Sequence, residues 1–95
     1  MMNIALPDRV AIPDHVVFQE LENECVLLNM SNEQYFGLDD VGARMWRLLI
    51  EEGDPRTVLV RLQDHYSVDE ASLRQDLAGF IAQLQTEGLL VVDQA

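Results

Sequence analysis

The sequence predicts an α+β domain of winged-helix-like type, in which a three-stranded antiparallel sheet precedes three helices. Up to Leu38 the apolar residues alternate with polar ones or form short runs, whereas after Asp40 they recur every three or four residues. The first pattern is typical of strands and the second of helices. The chain has 95 residues, of which 48% are hydrophobic, so it has room for one domain with one small core.

A loose segment comes before the predicted domain. Residues 1–14 contain Pro7 and Pro13 and show little periodicity, which favours an extended N-terminal arm. We therefore place a single domain at residues 15–92. The N-terminus has no basic region followed by an apolar block, and no apolar run reaches the ~18 residues of a membrane span. We expect a cytoplasmic protein with no membrane partner.

Three short strands in hairpin succession follow the arm. Each is bounded by polar residues that suit a tight turn, as in an antiparallel meander. The middle strand, CVLLNM, is almost continuously apolar, which indicates a central position in the sheet. The predicted strands are residues 15–21, 25–30 and 33–38, and the turns are Glu22-Asn23-Glu24 and Ser31-Asn32.

Three amphipathic helices complete the domain and are expected to cover one face of the sheet. Asp39 and Asp40 supply capping oxygens and negative charge where the first helix begins. For the second helix, Asp54-Pro55 is an N-cap followed by proline at the first helical position. For the third helix, the N-cap is either Asp69 or Ser67, which would form a capping box with Glu70. The predicted helices end at Gly53, Tyr66 and Glu87, and a short extended tail follows at residues 89–92.

The charge of the chain argues against nucleic acid as a partner. The formal net charge is −11 and every basic residue is arginine, so the surface repels phosphate backbones. The last two helices suggest a helix-turn-helix, but the second of them carries several carboxylates against the single Arg74. A helix that reads DNA needs basic residues. The acidic surface suits a basic partner or peptide, or serves solubility alone.

No group of residues has the spacing of a catalytic or metal site. Cys25 is the only cysteine and lies within a predicted strand, where a small buried hydrophobe is the favoured interpretation. His15 and His65 lie beside no recognisable nucleophile, and the carboxylates at the first helix are explained as caps. We therefore expect no metal, no cofactor and no enzymatic activity.

The third predicted strand is the surface best suited to binding. If sheet order follows chain order, this strand lies at an edge, and no lysine or proline in EQYFGL protects it. An extended peptide can pair with such an edge, and the third helix would form the wall of the groove. For Tyr35, a core position and a groove position are equally favoured interpretations. One flank of the helix carries Arg74, Ala78, Ile81 and Gln85, whereas core is the favoured interpretation of Phe80 and Leu84.

The order of these segments resembles the PqqD-like family of peptide chaperones, also called RiPP recognition elements. The resemblance lies in LLNMSNEQYFGLDDVGARMWRLL, a capped second helix, HYSVD and a long helix ending in LQTEGLL, and it spans roughly Val16 to Leu90. The YFGLDDVGARMW segment is most similar to the stand-alone recognition proteins of lasso-peptide gene clusters. Members that serve quinone-cofactor synthesis usually have a proline-glutamate-glycine segment where this chain has Met30-Ser31-Asn32.

The resemblance implies a non-catalytic chaperone that binds the leader segment of a ribosomally made precursor peptide. The leader adds as a strand antiparallel to the third predicted strand and packs against the third helix. A separate cysteine-protease leader peptidase then receives the precursor, and a macrolactam cyclase acts afterwards. Leaders of this type present a tyrosine and a proline to hydrophobic pockets. By position, the implied peptide-binding residues are Glu33, Gln34, Tyr35, Phe36, Gly37, Leu38, Arg74, Asp76, Leu77, Ala78, Ile81 and Gln85.

Two alternatives stay open at this point. One is a recognition element for another pathway, such as quinone-cofactor or sactipeptide maturation, with a radical enzyme as its partner. The other is an acidic winged-helix regulator that binds DNA or a transcription protein.

Overall fold

The computed structural model describes residues 6–22 and 24–93. It confirms the predicted fold class, because a three-stranded antiparallel sheet is followed by three helices. Residues 1–5 of the predicted arm and Asn23 of the first predicted turn lie outside the described residues. The elements are β1 (Arg9–Ala11), β2 (Val16–Glu20), β3 (Cys25–Asn29), β4 (Gln34–Leu38), α1 (Asp40–Glu52), α2 (Pro55–His65), α3 (Glu70–Thr86) and β5 (Val91–Asp93).

The main sheet has the order β2-β3-β4, and both of its pairings are antiparallel. Its register places Phe18 opposite Leu27 and Leu27 opposite Phe36. Leu27 is fully buried and belongs to the core. Because side chains alternate between the two faces of a sheet, Tyr35 points the other way and is 73% exposed. The sheet therefore buries one face and leaves the other largely open.

All three helices begin where an aspartate caps them. The Asp39 carboxylate accepts a hydrogen bond of 2.7 Å from the Gly42 N–H, and Asp54 caps α2 in the same manner. Asp69, rather than Ser67, caps α3. Each cap satisfies a backbone N–H that has no partner within the helix, so the polar residues of the sequence set where the helices begin.

The core joins the sheet to the helices through aromatic and aliphatic side chains. Trp46 of α1 is 1% exposed, and its ring stacks with Phe18 of β2 at a centroid distance of 6.5 Å. The Arg47 guanidinium lies 5.5 Å from the Phe18 ring centroid and also pairs with Glu20 at the end of β2. These contacts hold α1 over the β2 side of the sheet.

A second, two-stranded sheet closes the molecule and was not predicted. β1 pairs antiparallel with β5, with Val10 opposite Val92. Leu6 and Val10, both within the predicted arm, are buried in the core. Each strand has only three residues, too few to show an alternating pattern, and the pairing joins distant parts of the chain. Local sequence patterns predict an extended arm and an extended tail, but they contain no signal that the two pair.

The loop between β3 and β4 holds one residue in an unusual conformation. Glu33 has a φ of 59°, in the left-handed region that favours glycine. The loop is held by side-chain oxygens, because Asn29 Oδ1 accepts from the Ser31 N–H at 2.9 Å and Asn32 Oδ1 accepts from the Gln34 N–H at 3.0 Å. The hairpin thus keeps Glu33 in a conformation that its own side chain disfavours.

Replacing Glu33 with glycine should stabilise the protein. Glycine adopts a positive φ without a Cβ clash, so we expect Glu33→Gly to raise the free energy of unfolding by about 0.5–1 kcal/mol. Urea denaturation followed by circular dichroism measures the change. Ser31→Gly in the same loop is the matched control and should destabilise, because it adds backbone freedom at an ordinary φ. Equal losses in both variants would contradict the prediction.

Candidate peptide-binding groove

β4 lies at an open edge of the main sheet. Among the described strands it pairs with β3 alone, so its other side leaves backbone N–H and C=O groups free for a further strand. Gln34, Tyr35 and Gly37 are exposed, Phe36 is half-buried, and Leu38 is buried. This edge is the one that the sequence predicted as a docking strand.

α3 runs beside this edge in the opposite direction. At one end, a Cβ added to Gly42 would lie 3.5 Å from Leu38 and 3.6 Å from Phe80, so the end of β4 lies close to Phe80. At the other end, Asn29 Nδ2 donates to the Glu87 carbonyl at 3.5 Å, and Glu87 lines a small cavity with Gln34 and Phe36 of β4. We call the space between β4 and residues 80–87, which are the last part of α3 and its C-cap Glu87, the β4 groove.

Only one flank of α3 faces the β4 groove. Asp76, Gln83 and Glu87 are three or four residues from Phe80 or from each other, so they share its flank of the helix. The core stripe lies next to this flank and consists of Leu73, Leu77, Ile81 and Leu84, all buried.

The structure separates the residues that the sequence placed at the site. Residues 33–38 lie together along the edge and the loop before it, and Asp76 lies on the groove flank of α3. Leu77 and Ile81 are 0% and 2% exposed and belong to the core. Arg74, Ala78 and Gln85 lie on the far flank of α3, where Arg74 Nε donates to Glu70 at 2.8 Å.

Phe80 borders both the core and the β4 groove. Core is the interpretation that the sequence favours, and Phe80 packs against the core while its side chain stays half-buried at the border of the core stripe. The sequence signal for its flank of α3 is its three- and four-residue spacing from Asp76, Gln83 and Glu87. That spacing marks a shared flank, yet it does not tell which flank will meet the sheet.

The charges around the groove are mainly negative. Asp76 and Glu87 lie on the groove flank of α3, and Asp39 and Asp40 follow directly after the buried end of β4. No arginine shares that flank, and four of the chain's arginines are held in ion pairs elsewhere. Such a field attracts basic ligands. The ion pairs are Arg47–Glu20, Arg56–Asp8, Arg61–Glu52 and Arg74–Glu70.

Two ionisable groups outside the groove have shifted pKa values. Hydrogen bonds from Ser72 lower the pKa of Asp69, which is the cap of α3. A hydrogen bond to Glu52 raises the pKa of Arg61. Both shifts favour the charged form of a residue that holds a helix in place, so they belong to the scaffold of the groove.

The described residues contain no group of three or more potential ligands arranged to hold a metal ion. Cys25 is free and half-buried, and its sulfur lies 3.9 Å from an Arg47 nitrogen. Within residues 6–22 and 24–93, no helix has the length and apolar character to cross a membrane.

Known proteins resemble this chain in both sequence and fold. The family described as "Coenzyme PQQ synthesis protein D (PqqD)" matches residues 24–90. A solved structure, "TbiB1 in Complex with the TbiA(beta) Leader Peptide", is 38% identical, covers 86% of this chain and 98% of its own, and has a TM-score of 0.79. No curated protein matches significantly.

A second solved structure, "Lasso peptide synthetase B1 complexed with the leader peptide", has a TM-score of 0.81. It is 20% identical and covers 87% of this chain and 98% of its own, so this likeness shows the fold alone.

The family match spans most of the chain and contains the elements that build the groove. It begins just before β3, includes β4 and α3, and ends at Leu90. The similarity to TbiB1 extends over a similar share of the chain at a substantial identity. This chain therefore belongs to the PqqD family, as a PqqD-like RiPP recognition element.

Proposed function

We propose that this chain binds the leader segment of a lasso precursor peptide and presents it to a separate peptidase without catalysing a reaction itself. The observation that carries the proposal is the open β4 edge with α3 beside it. A structural neighbour of 38% identity is described in complex with a leader peptide, which supports a leader as the ligand. The precursor is ribosomally made, so we place the encounter in the cytoplasm.

The proposed mode of binding is strand addition. A leader strand antiparallel to β4 would satisfy the free backbone groups of the edge, and these hydrogen bonds tolerate many sequences. Alternate leader side chains would point toward α3, where half-buried Phe36 and Phe80 present apolar surface. The remaining side chains would lie on the outer side, near the exposed Tyr35. Backbone pairing then supplies affinity, and the apolar surface selects the leader residues that fit.

The other predicted contacts have different proposed roles. Asp76 offers a carboxylate on the groove flank to a polar or basic leader residue. Leu77 and Ile81 act from the core, where their packing fixes the position of α3. The residues of the far flank, Arg74, Ala78 and Gln85, stay predicted contacts for leader residues outside the paired segment.

The proposed partners act after the leader is bound. A cysteine-protease leader peptidase would cleave the presented precursor, and the macrolactam cyclase would then close the ring. In this scheme the recognition protein has only to form a stable complex with the leader. The family description names quinone-cofactor synthesis, which keeps a radical-enzyme pathway as the second candidate. The resemblance of the YFGLDDVGARMW segment to the stand-alone recognition proteins of lasso-peptide gene clusters favours the lasso pathway, and the neighbouring genes would separate the two.

Titration with a leader peptide tests the proposal directly. With the TbiA(beta) leader, or the leader encoded beside this gene, we expect the largest amide shifts in a nitrogen-15 spectrum at Glu33 to Leu38. Unchanged signals across that segment on addition of either leader would overturn the proposal.

N-methylated leaders test the strand-addition geometry. In an added strand, alternate N–H groups point toward β4 and the others point away. Methylation of an N–H that faces β4 should weaken binding about tenfold or more, because it leaves a β4 carbonyl unpaired. Methylation of the next residue should have little effect. Isothermal titration calorimetry measures both, and equal losses at every position would contradict strand addition.

Truncation of Phe80 tests the groove flank of α3. We expect Phe80→Ala to weaken leader binding about tenfold, because it removes apolar surface that faces the bound strand. Fluorescence anisotropy of a labelled leader measures the affinity, and circular dichroism verifies the fold. Val60→Ala on α2, which removes an exposed apolar side chain away from the groove, is the matched control. A Phe80→Ala variant that binds as tightly as the control would remove this flank from the site.

A further inference from the structure

A second cavity continues the β4 groove at one end. It is open to solvent, measures about 560 Å³, and lies between the β3–β4 loop and the end of α3. Asn29, Asn32 and Glu87 line both this cavity and the small cavity within the groove. The two therefore form one surface that passes around the hairpin loop. We call the second cavity the end cavity.

The direction of strand addition determines which part of a bound peptide reaches the end cavity. This step rests on the proposed function. A strand antiparallel to β4 has its N-terminal end beside Leu38 and its C-terminal end beside Gln34. Gln34 follows directly after the loop that borders the cavity. The peptide residues that come after the paired strand therefore leave the groove at the end cavity.

The chemistry of the end cavity favours a cation. Glu87 is an exposed acidic residue that lines the cavity and forms no ion pair with the described residues. The C-terminal end of α3 also borders the cavity through Gln85 and Thr86, and a helix C-terminus carries partial negative charge. His15 already donates to one of the neighbouring carbonyls, that of Gly88, at 3.3 Å when its Nε2 carries the proton. No arginine lies among the described lining residues, so a basic side chain would complement the cavity.

Asn29 lies between the β4 groove and the end cavity, and one N–H of its side-chain amide is free to donate. It is 5% exposed and is the one buried polar residue in the described chain. Its Oδ1 accepts from Ser31, and one Nδ2 hydrogen reaches the Glu87 carbonyl at 3.5 Å, the outer limit of a hydrogen bond. The other Nδ2 hydrogen has no partner among the described residues. Because buried donors normally have partners, this N–H is suited to a carbonyl of a passing peptide.

We propose that the end cavity binds the precursor residues that follow the β4-paired strand and prefers a lysine or arginine there. Glu87 and the end of α3 supply the charge complementarity. Asn29 holds the peptide backbone where it turns from the groove into the cavity.

Three synthetic peptides test the proposal. The first is the leader segment that the amide titration maps to β4. The second and third carry a C-terminal Gly-Ser-Gly spacer followed by two lysines or by two glutamates. At low salt we expect the lysine peptide to bind about fivefold more tightly than the glutamate peptide, a ratio in the range of exposed ion pairs. In Glu87→Gln the ratio should fall to about twofold, whereas in Glu51→Gln, which removes the same charge from a residue that does not line the cavity, it should stay unchanged.

A photo-crosslinker tests the direction of the chain independently of charge. Benzoylphenylalanine placed in the C-terminal spacer should crosslink to residues 85–92, and the same group at the N-terminus of the peptide should not. Crosslinks from the N-terminal position to that segment would overturn the proposal. A charge ratio near one in the wild-type protein, or a ratio that Glu87→Gln and Glu51→Gln lower equally, would also overturn it. Failure of the short peptide itself to bind would instead overturn the proposed function.

Discussion

The inner face of the β2–β3–β4 sheet is covered by the helices, and the position of every functional element depends on this burial. Three short strands have little stability in water until one face is packed. The α1 helix covers the β2 side through Trp46 and Phe18. The α3 helix covers the side of β3 and β4, where Phe80 lies near the Leu38 end of β4 and the Glu87 carbonyl accepts from Asn29 of β3. This arrangement leaves β4 with a helical wall and an unpaired edge. The groove therefore forms because the helices that complete the small core leave the edge of β4 unpaired.

Sequence patterns sufficed for the elements of this fold because each element has a local cause. The aspartates at positions 39, 54 and 69 mark where helices begin, and the change of hydrophobic period after Leu38 marks where the sheet ends. The β1–β5 sheet could not be predicted, since two three-residue strands have no period and meet only through tertiary packing. Phe80 shows the same limit at the site. Its spacing defines a flank of α3, but only the tertiary position of Phe80 beside Gly42 of α1 decides that this flank faces the groove.

Charge organises the surface around the groove. Of six arginines in the chain, four are neutralised by neighbouring carboxylates on the scaffold. Acidic residues that are not in these ion pairs lie at both ends of the groove. Asp39 and Asp40 lie beyond one end, and Glu87 lies at the other. An acidic surface makes a poor partner for nucleic acid, although the last two helices follow each other as in a helix-turn-helix. The same excess raises the local concentration of basic peptides near the open edge.

The pairing of β1 with β5 brings Arg9 opposite Asp93, so the first and last strands of the described chain end side by side. The pairing closes most of the chain into one loop, and closing a long loop costs only slightly more entropy than closing a shorter one. The β4 edge belongs to the other sheet and takes no part in that junction. The β1–β5 pairing can therefore close the domain without using the receptive strand of the groove.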